Sequence, residues 1–206
     1  MKVFLDEMPL GRESATVAEA LRAAARSAEL VGRIVVRVEA DGRAISEGDL
    51  TRLEDTNSTV AELRLISADP HALIRGVFQD AREALVTVAS LQRAAADACM
   101  AGDSTTTMAQ LGGAVETWRA VRDALEKSAE LLGFDLETVK FSFDGREAAA
   151  SGLVVELARA LDRLLSGVKA RDWSAVGDVL SRDLGRLAGS WGGLFAELER
   201  RMGRSG

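Results

Sequence analysis

One histidine, His71, and one cysteine, Cys99, are the only imidazole and the only thiol among 206 residues. Zinc sites, redox pairs and nucleophile–base dyads each need at least two such groups at fixed spacing. The chain has no CxxC, no Glu-x-x-His of the kind that holds di-iron centres in helical bundles, and no second histidine to serve as a base. His71 follows Pro70 and reads as a surface or capping residue of a first helical turn. Cys99, in the alanine-rich run AAADACM, reads as an inert buried thiol. Neither phosphate-binding fingerprint, GxxxxGK[ST] or GxGxxG, occurs.

Carboxylates are the remaining reactive groups. They gather between Phe134 and Glu147, where Asp135, Glu137, Asp144 and Glu147 accompany Lys140, Phe134, Phe141 and Phe143. This 134–147 loop is the best place for an enzyme or small-molecule site. The competing reading is an extended connection whose phenylalanines plug an apolar face while its charges stay in water. The EF-hand pattern is absent, so neither metal nor cofactor is expected.

A different constellation lies near the end. Gly177, Ser181, Gly185, Gly189 and Gly193 fall four apart, and Gly192 adds a further glycine. On a helix they form a side-chain-poor ladder, at about 1 kcal/mol per glycine relative to alanine. Two accounts offset that cost. The ladder can meet another helix at a close crossing, with Gly112 and Gly113 as counterparts. Alternatively, Gly185, Gly189 and Gly193, flanked by Trp191, Leu194 and Phe195, form a groove for a partner's amphipathic helix.

The elements that carry these residues change character near Pro70. Over residues 1–69, Val3 and Leu5 alternate with Lys2, Phe4 and Asp6, and TVAE at Thr16–Glu19 begins a capping box for a helix through Val17, Leu21, Ala24, Ala25 and Ala28. Ile34, Val36 and Val38 fall on one side of a strand that turns at Asp41-Gly42, and Leu63 and Leu65 mark a last strand. This ββαβββ order resembles the β-grasp, or ubiquitin-like, fold. Sulfur carriers and protein modifiers of that fold need a free Gly-Gly after the last strand, whereas ISADP runs directly into a helix; the ferredoxin variety needs four cysteines. Docking or capping roles remain.

Residues 70–206 are helical. Asp69-Pro70 opens a helix through Leu73, Ile74, Val77, Phe78, Ala81, Ala84, Leu85, Val88 and Leu91; Asp103 or Ser104 opens a second through Met108, Leu111, Val115, Trp118, Val121, Leu125 and Leu132 to Gly133. A third runs through Leu153, Val154, Leu157, Leu161, Leu164 and Leu165. Asp172 caps a fourth with the seam Trp173, Val176, Leu180, Leu184, Leu187, Trp191, Leu194, Leu198 and Met202. Trp118 and Trp173 lie on these seams as core residues. Arg200, Arg201 and Arg204 complement the last helix's dipole. Short connections make neighbours antiparallel, so the predicted fold class is α+β: a β-grasp-like ββαβββ domain, then an antiparallel four-helix bundle.

With 26 Lys+Arg against 32 Asp+Glu, the net charge of −6 has the wrong sign for nucleic acid or an anionic membrane. No apolar run spans a bilayer and the first residues carry no signal-peptide core, so a cytoplasmic location is expected. The stretches AGDSTTTMAQLGGAVETWRAV and VKARDWSAVGDVLSRDLGRLAGSWGGLFAEL resemble the flagellin-specific export chaperones of the bacterial flagellum in helix order, cap positions and the terminal Trp191. The resemblance implies a chaperone-like protein that wraps partner helices against its bundle. The leading expectation is a non-enzymatic protein-interaction module; a homodimer pairing sheet edges is a third reading.

Overall fold

Strand β1 (Lys2–Leu5), rich in β-forming Val3 and Phe4 and with Val3 buried, turns back into β2 (Met8–Pro9). Helix α1 (Val17–Glu29) starts where the Thr16 hydroxyl accepts the Glu19 backbone N–H at 3.2 Å. Strands β3 (Ile34–Ala40), β4 (Arg43–Ala44) and β5 (Glu62–Ala68) follow. The computed structural model describes residues 1–11, 16–46, 48–50, 52, 60–143 and 145–203. The chain is mixed α+β and divides into two units, Met1–Leu73 and Ile74–Gly206.

In the first unit the sheet order is β2-β1-β5-β3-β4. Strands β1 and β5 run parallel, with Val3 opposite Leu63 and Leu5 opposite Leu65, and the other neighbours are antiparallel. Val3, Val38, Leu63 and Leu65 pack against Val17, Ala20 and Ala24 of α1. The Asp41-Gly42 turn forms as the sequence suggests, with both residues at positive φ (48° and 78°). The expected Ile34/Val36/Val38 face does not. A bulge between Val35 and Arg37 turns Val36 outward and brings Val35 onto the core.

Polar clasps close the sheet's ends. Ser67 donates its backbone N–H to Asp6 at 2.7 Å and its hydroxyl to the same carboxylate, while Arg33 donates to the Ser67 hydroxyl and carbonyl at 2.6 and 2.7 Å. The two bonds from Ser67 hold the Asp6 carboxyl below its ordinary pKa.

In the second unit, α2 (Pro70–Met100), α3 (Ser104–Leu132) and α4 (Ala150–Ala170) are followed by α5 (Trp173–Asp178), a π-helical turn (Val179–Leu184) and α6 (Gly185–Met202). Caps fall where the sequence places them: Asp69 accepts the His71 N–H, Asp103 the Thr106 N–H and Asp172 the Ala175 N–H, at 2.8 to 3.0 Å. Gly133 ends α3 in the left-handed region at φ 67°.

Buried residues recur in steps of four and three along α2 (Ile74, Phe78, Ala81, Leu85, Val88, Gln92, Ala95) and α3 (Thr107, Leu111, Ala114, Trp118, Val121, Leu125, Ser128). Helix α4 keeps the same rhythm. The last segment instead takes two consecutive steps of four, Val176–Leu180–Leu184, where the π turn lies. An α-helix advances about 40° for each four-residue step, so the longer π turn returns Leu184 to the core line. Arg163 pairs with Asp183 and Glu156 with Arg186, so α4 and the last segment run antiparallel; Arg82–Glu199 and the Cys99–Trp173 hydrogen bond show the same for α2 and that segment.

The 134–149 connection is more ordered than a loop. It contains a hairpin, β6 (Lys140–Phe143) and β7 (Arg146–Ala149), with Phe141 opposite Ala148. Phe141 is buried in the helical core beside Val139, and Phe143 is half-buried against it.

Candidate functional site

Trp191, Leu194 and Phe195 do not flank a surface groove. All three are fully buried, with Trp118 edge-on to Trp191 at 5.8 Å and Phe78 tilted against Phe195 at 5.2 Å. They hold the last segment in the core, so its opposite face, carrying the glycines, is turned out.

The ladder has two environments. A Cβ at Gly193 would fall 2.9 Å from Phe143 Cδ2, and one at Gly189 would fall 3.0 Å from Phe143 Cζ, so the hairpin's ring rests on these positions. A Cβ at Gly177 or Gly192 meets nothing within 4 Å, and one at Gly185 only the Leu180 carbonyl at 3.9 Å. The anticipated crossing with Gly112 and Gly113 is not the reason for the ladder: Gly112 faces open space, and Gly113 faces Leu91 of α2.

Gly185, Gly189 and Gly192, with Ala188, floor an open groove of about 1260 Å³ between α2 and α6. The α2 wall carries Arg75, Arg82 and Arg93, separated by 7 and 11 residues and thus returning to one helix face, with Val86 73% exposed among them. Arg82 donates across the groove to Glu199 at 3.1 Å. Arg75 and Arg93 have no ion-pair partner among the described residues. The three arginines face two carboxylates, Glu83 and Glu199, so the groove is locally positive on a chain of net charge −6.

A recess of about 480 Å³ adjoins the groove and shares Ala89, Arg93 and Gly185 with it. Gly177, Leu180 and Ser181 line it from the last segment, and Gln92 lines it from α2. Gln92 is 2% exposed, and neither Oε1 nor Nε2 has a partner. The buried hydroxyl side chains among the described residues are satisfied. Thr107, Ser128 and Ser190 donate to the carbonyl four residues back, and Ser67 belongs to the clasp with Asp6.

The acids of the 134–147 stretch do not converge. Asp135, Glu137 and Glu147 are exposed, and Asp135 accepts the Glu137 N–H at 2.9 Å in a local turn. Asp144 lies outside the described residues, and among those described no three potential ligands gather around a common point. His71 is exposed. The Cys99 thiol is half-buried, donates to the Trp173 carbonyl at 3.1 Å, and has its pKa raised by burial, which disfavours the nucleophilic thiolate. Trp173 is half-buried at the rim of the recess.

At the end of α6, Glu197 accepts from Arg200 and Arg201, and these bonds hold its carboxyl below the ordinary value. Arg201 also donates to the Lys140 carbonyl and so ties the hairpin to α6. Arg204 lies outside the described residues. No helix among the described residues is long and apolar enough to cross a membrane.

The arginine row and Gln92 were missed in the sequence. The signal for Gln92 was available: it occupies a core position of the α2 rhythm, between Val88 and Ala95, where a polar residue is out of place. Comparison with known proteins adds no relative, since no protein family, curated protein or solved structure matches the chain.

Proposed function

We propose that this chain is a non-enzymatic protein-interaction module whose helical unit takes an amphipathic helix of a partner protein into the groove between α2 and α6. The observation that carries this reading is the open floor at Gly185 and Gly192. These glycines cost helix stability, yet among the described residues a Cβ on either would meet no other helix or strand than the last segment itself, and an approaching helix backbone is what such a floor accommodates. The arginine row selects the partner's chemistry: an apolar stripe flanked by Asp or Glu, which also competes with Glu199 for Arg82.

Two structural assignments belong to the same reading. The β2-β1-β5-β3-β4 order, with its parallel central pair β1 and β5, supports a β-grasp for residues 1–69. The shared heptad rhythm and the antiparallel pairs support a four-helix bundle for the remainder. The module is then chaperone-like, holding a partner's helix in the manner implied by the likeness to flagellin-specific export chaperones.

The test uses two labelled amphipathic peptides of about 18 residues, about five helical turns, with the same leucine face and either Glu or Lys flanks. Fluorescence anisotropy is expected to show saturable binding of the Glu-flanked peptide and at least tenfold weaker binding of the other. Equal affinities, or none, would overturn the proposal. A dimer in light scattering that the Glu-flanked peptide dissociates would make the natural occupant a second copy of this chain.

A further inference from the structure

A buried carboxamide with both its donor and its acceptor unmet forfeits its hydration without compensation, and native interiors normally remove that cost with a protein partner or water. Gln92 is the one buried polar side chain among the described residues that lines a recess and has no partner. The indole N–H groups of Trp118 and Trp191 are also unpaired, but they belong to an aromatic cluster and line neither the groove nor the recess. Opposite Gln92 the last segment opens into its π turn, an irregularity that recurs at functional sites. Gly177 and Gly185 add no side chain to that wall beside Leu180 and Ser181.

We propose that this recess is a carboxamide pocket, in which Gln92 pairs with the side-chain amide of an Asn or Gln projecting from a helix in the adjoining groove. Three features select that chemistry. Gln92 offers one acceptor and one donor side by side, and a second carboxamide meets both at once, its N–H donating to Oε1 and its carbonyl accepting from Nε2. A carboxylate could meet only the donor, and an ammonium only the acceptor. The rim bears Arg93 beside Asp97 and Asp178, and Asp178 is paired with Arg182, so the charges balance and a neutral group is favoured. The residues shared between groove and recess place the pocket within reach of a side chain of the groove's occupant. As a subsite for a partner, the pocket rests on the reading proposed above; as a receptor for a primary amide, it can be tested alone.

The probe is butyramide, with butyrate as a control of equal size, titrated into the full chain while the Gln92 side-chain NH₂ and the Gly177 and Ser181 amides are followed by NMR. Butyramide is expected to give saturable shifts at millimolar concentration, at least tenfold below the butyrate midpoint. The Q92L variant is expected to lose those shifts while unfolding at a higher denaturant concentration, because the unsatisfied amide is gone. A merely structural Gln92 would give the second effect without the first. No response to butyramide, equal responses to both probes, or shifts that survive Q92L would each overturn the pocket. Failure of the helical peptides to bind alongside a positive butyramide result would instead remove the groove and leave the pocket standing.

Discussion

Gly193 and Gly192 are neighbours on one helix and have opposite surroundings. Gly193, with Gly189, lies under the Phe143 ring, so the missing side chain is used by the chain itself. Gly192, with Gly177, faces open space. The same residue type therefore has an internal explanation at one pair of positions and none at the other. A glycine ladder is read by what touches each rung, and the open rungs are the ones that point to something outside the molecule.

Four substitutions or conditions separate the two environments. The largest effect is expected for Phe141→Ala. Phe141 is 4% exposed and anchors the hairpin that carries Phe143, so its loss should cost about 3–5 kcal/mol in chemical denaturation. A loss below 1 kcal/mol would mean that the hairpin is not held by the core. Next is Gly193→Leu, which must displace the Phe143 ring. Overpacking of this kind costs about 1–3 kcal/mol, and NMR shifts at Phe143 should report the movement.

Gly192→Ala should act in the opposite direction and stabilise the protein by about 1 kcal/mol, since the added methyl meets nothing and the helix gains a better former. Destabilisation there would erase the contrast with Gly193. The smallest effect concerns pH. Glu197 has its carboxyl lowered by Arg200 and Arg201, so its folded pKa lies below the unfolded value near 4.5. Its contribution is complete above that value and is lost as the pH falls through the folded pKa. The stability difference between wild type and Glu197→Gln, within about 1 kcal/mol at neutral pH, should shrink over that window. A difference constant with pH would show that Glu197 acts by packing alone.

Local signals in the sequence were reliable wherever backbone chemistry decided the outcome. The caps at Thr16, Asp103 and Asp172 and the Asp41-Gly42 turn form at the anticipated positions, because each satisfies or bends the backbone within a few residues. Tertiary decisions were harder to read. The bulge that expels Val36 is a matter of pairing with β5, and the Phe141–Phe143 hairpin gains its order from burial in a core that the local pattern cannot reveal. Trp191, Leu194 and Phe195 follow the apolar seam and are buried by it, so their apolarity and their role in a groove were incompatible readings. The two successive steps of four at Val176–Leu180–Leu184 announced the π turn, and Gln92 announced an unusual core position; both became legible only against the regular rhythm of the other helices.

On the function proposed above, the open rungs serve an occupant and not the fold. That role is tested most directly by filling one of them with Gly192→Trp and measuring unfolding and Glu-flanked peptide affinity on the same preparation. An unfolding midpoint no lower than that of the wild type is expected together with a loss of at least tenfold in affinity. An affinity unchanged by the indole in the groove would contradict it.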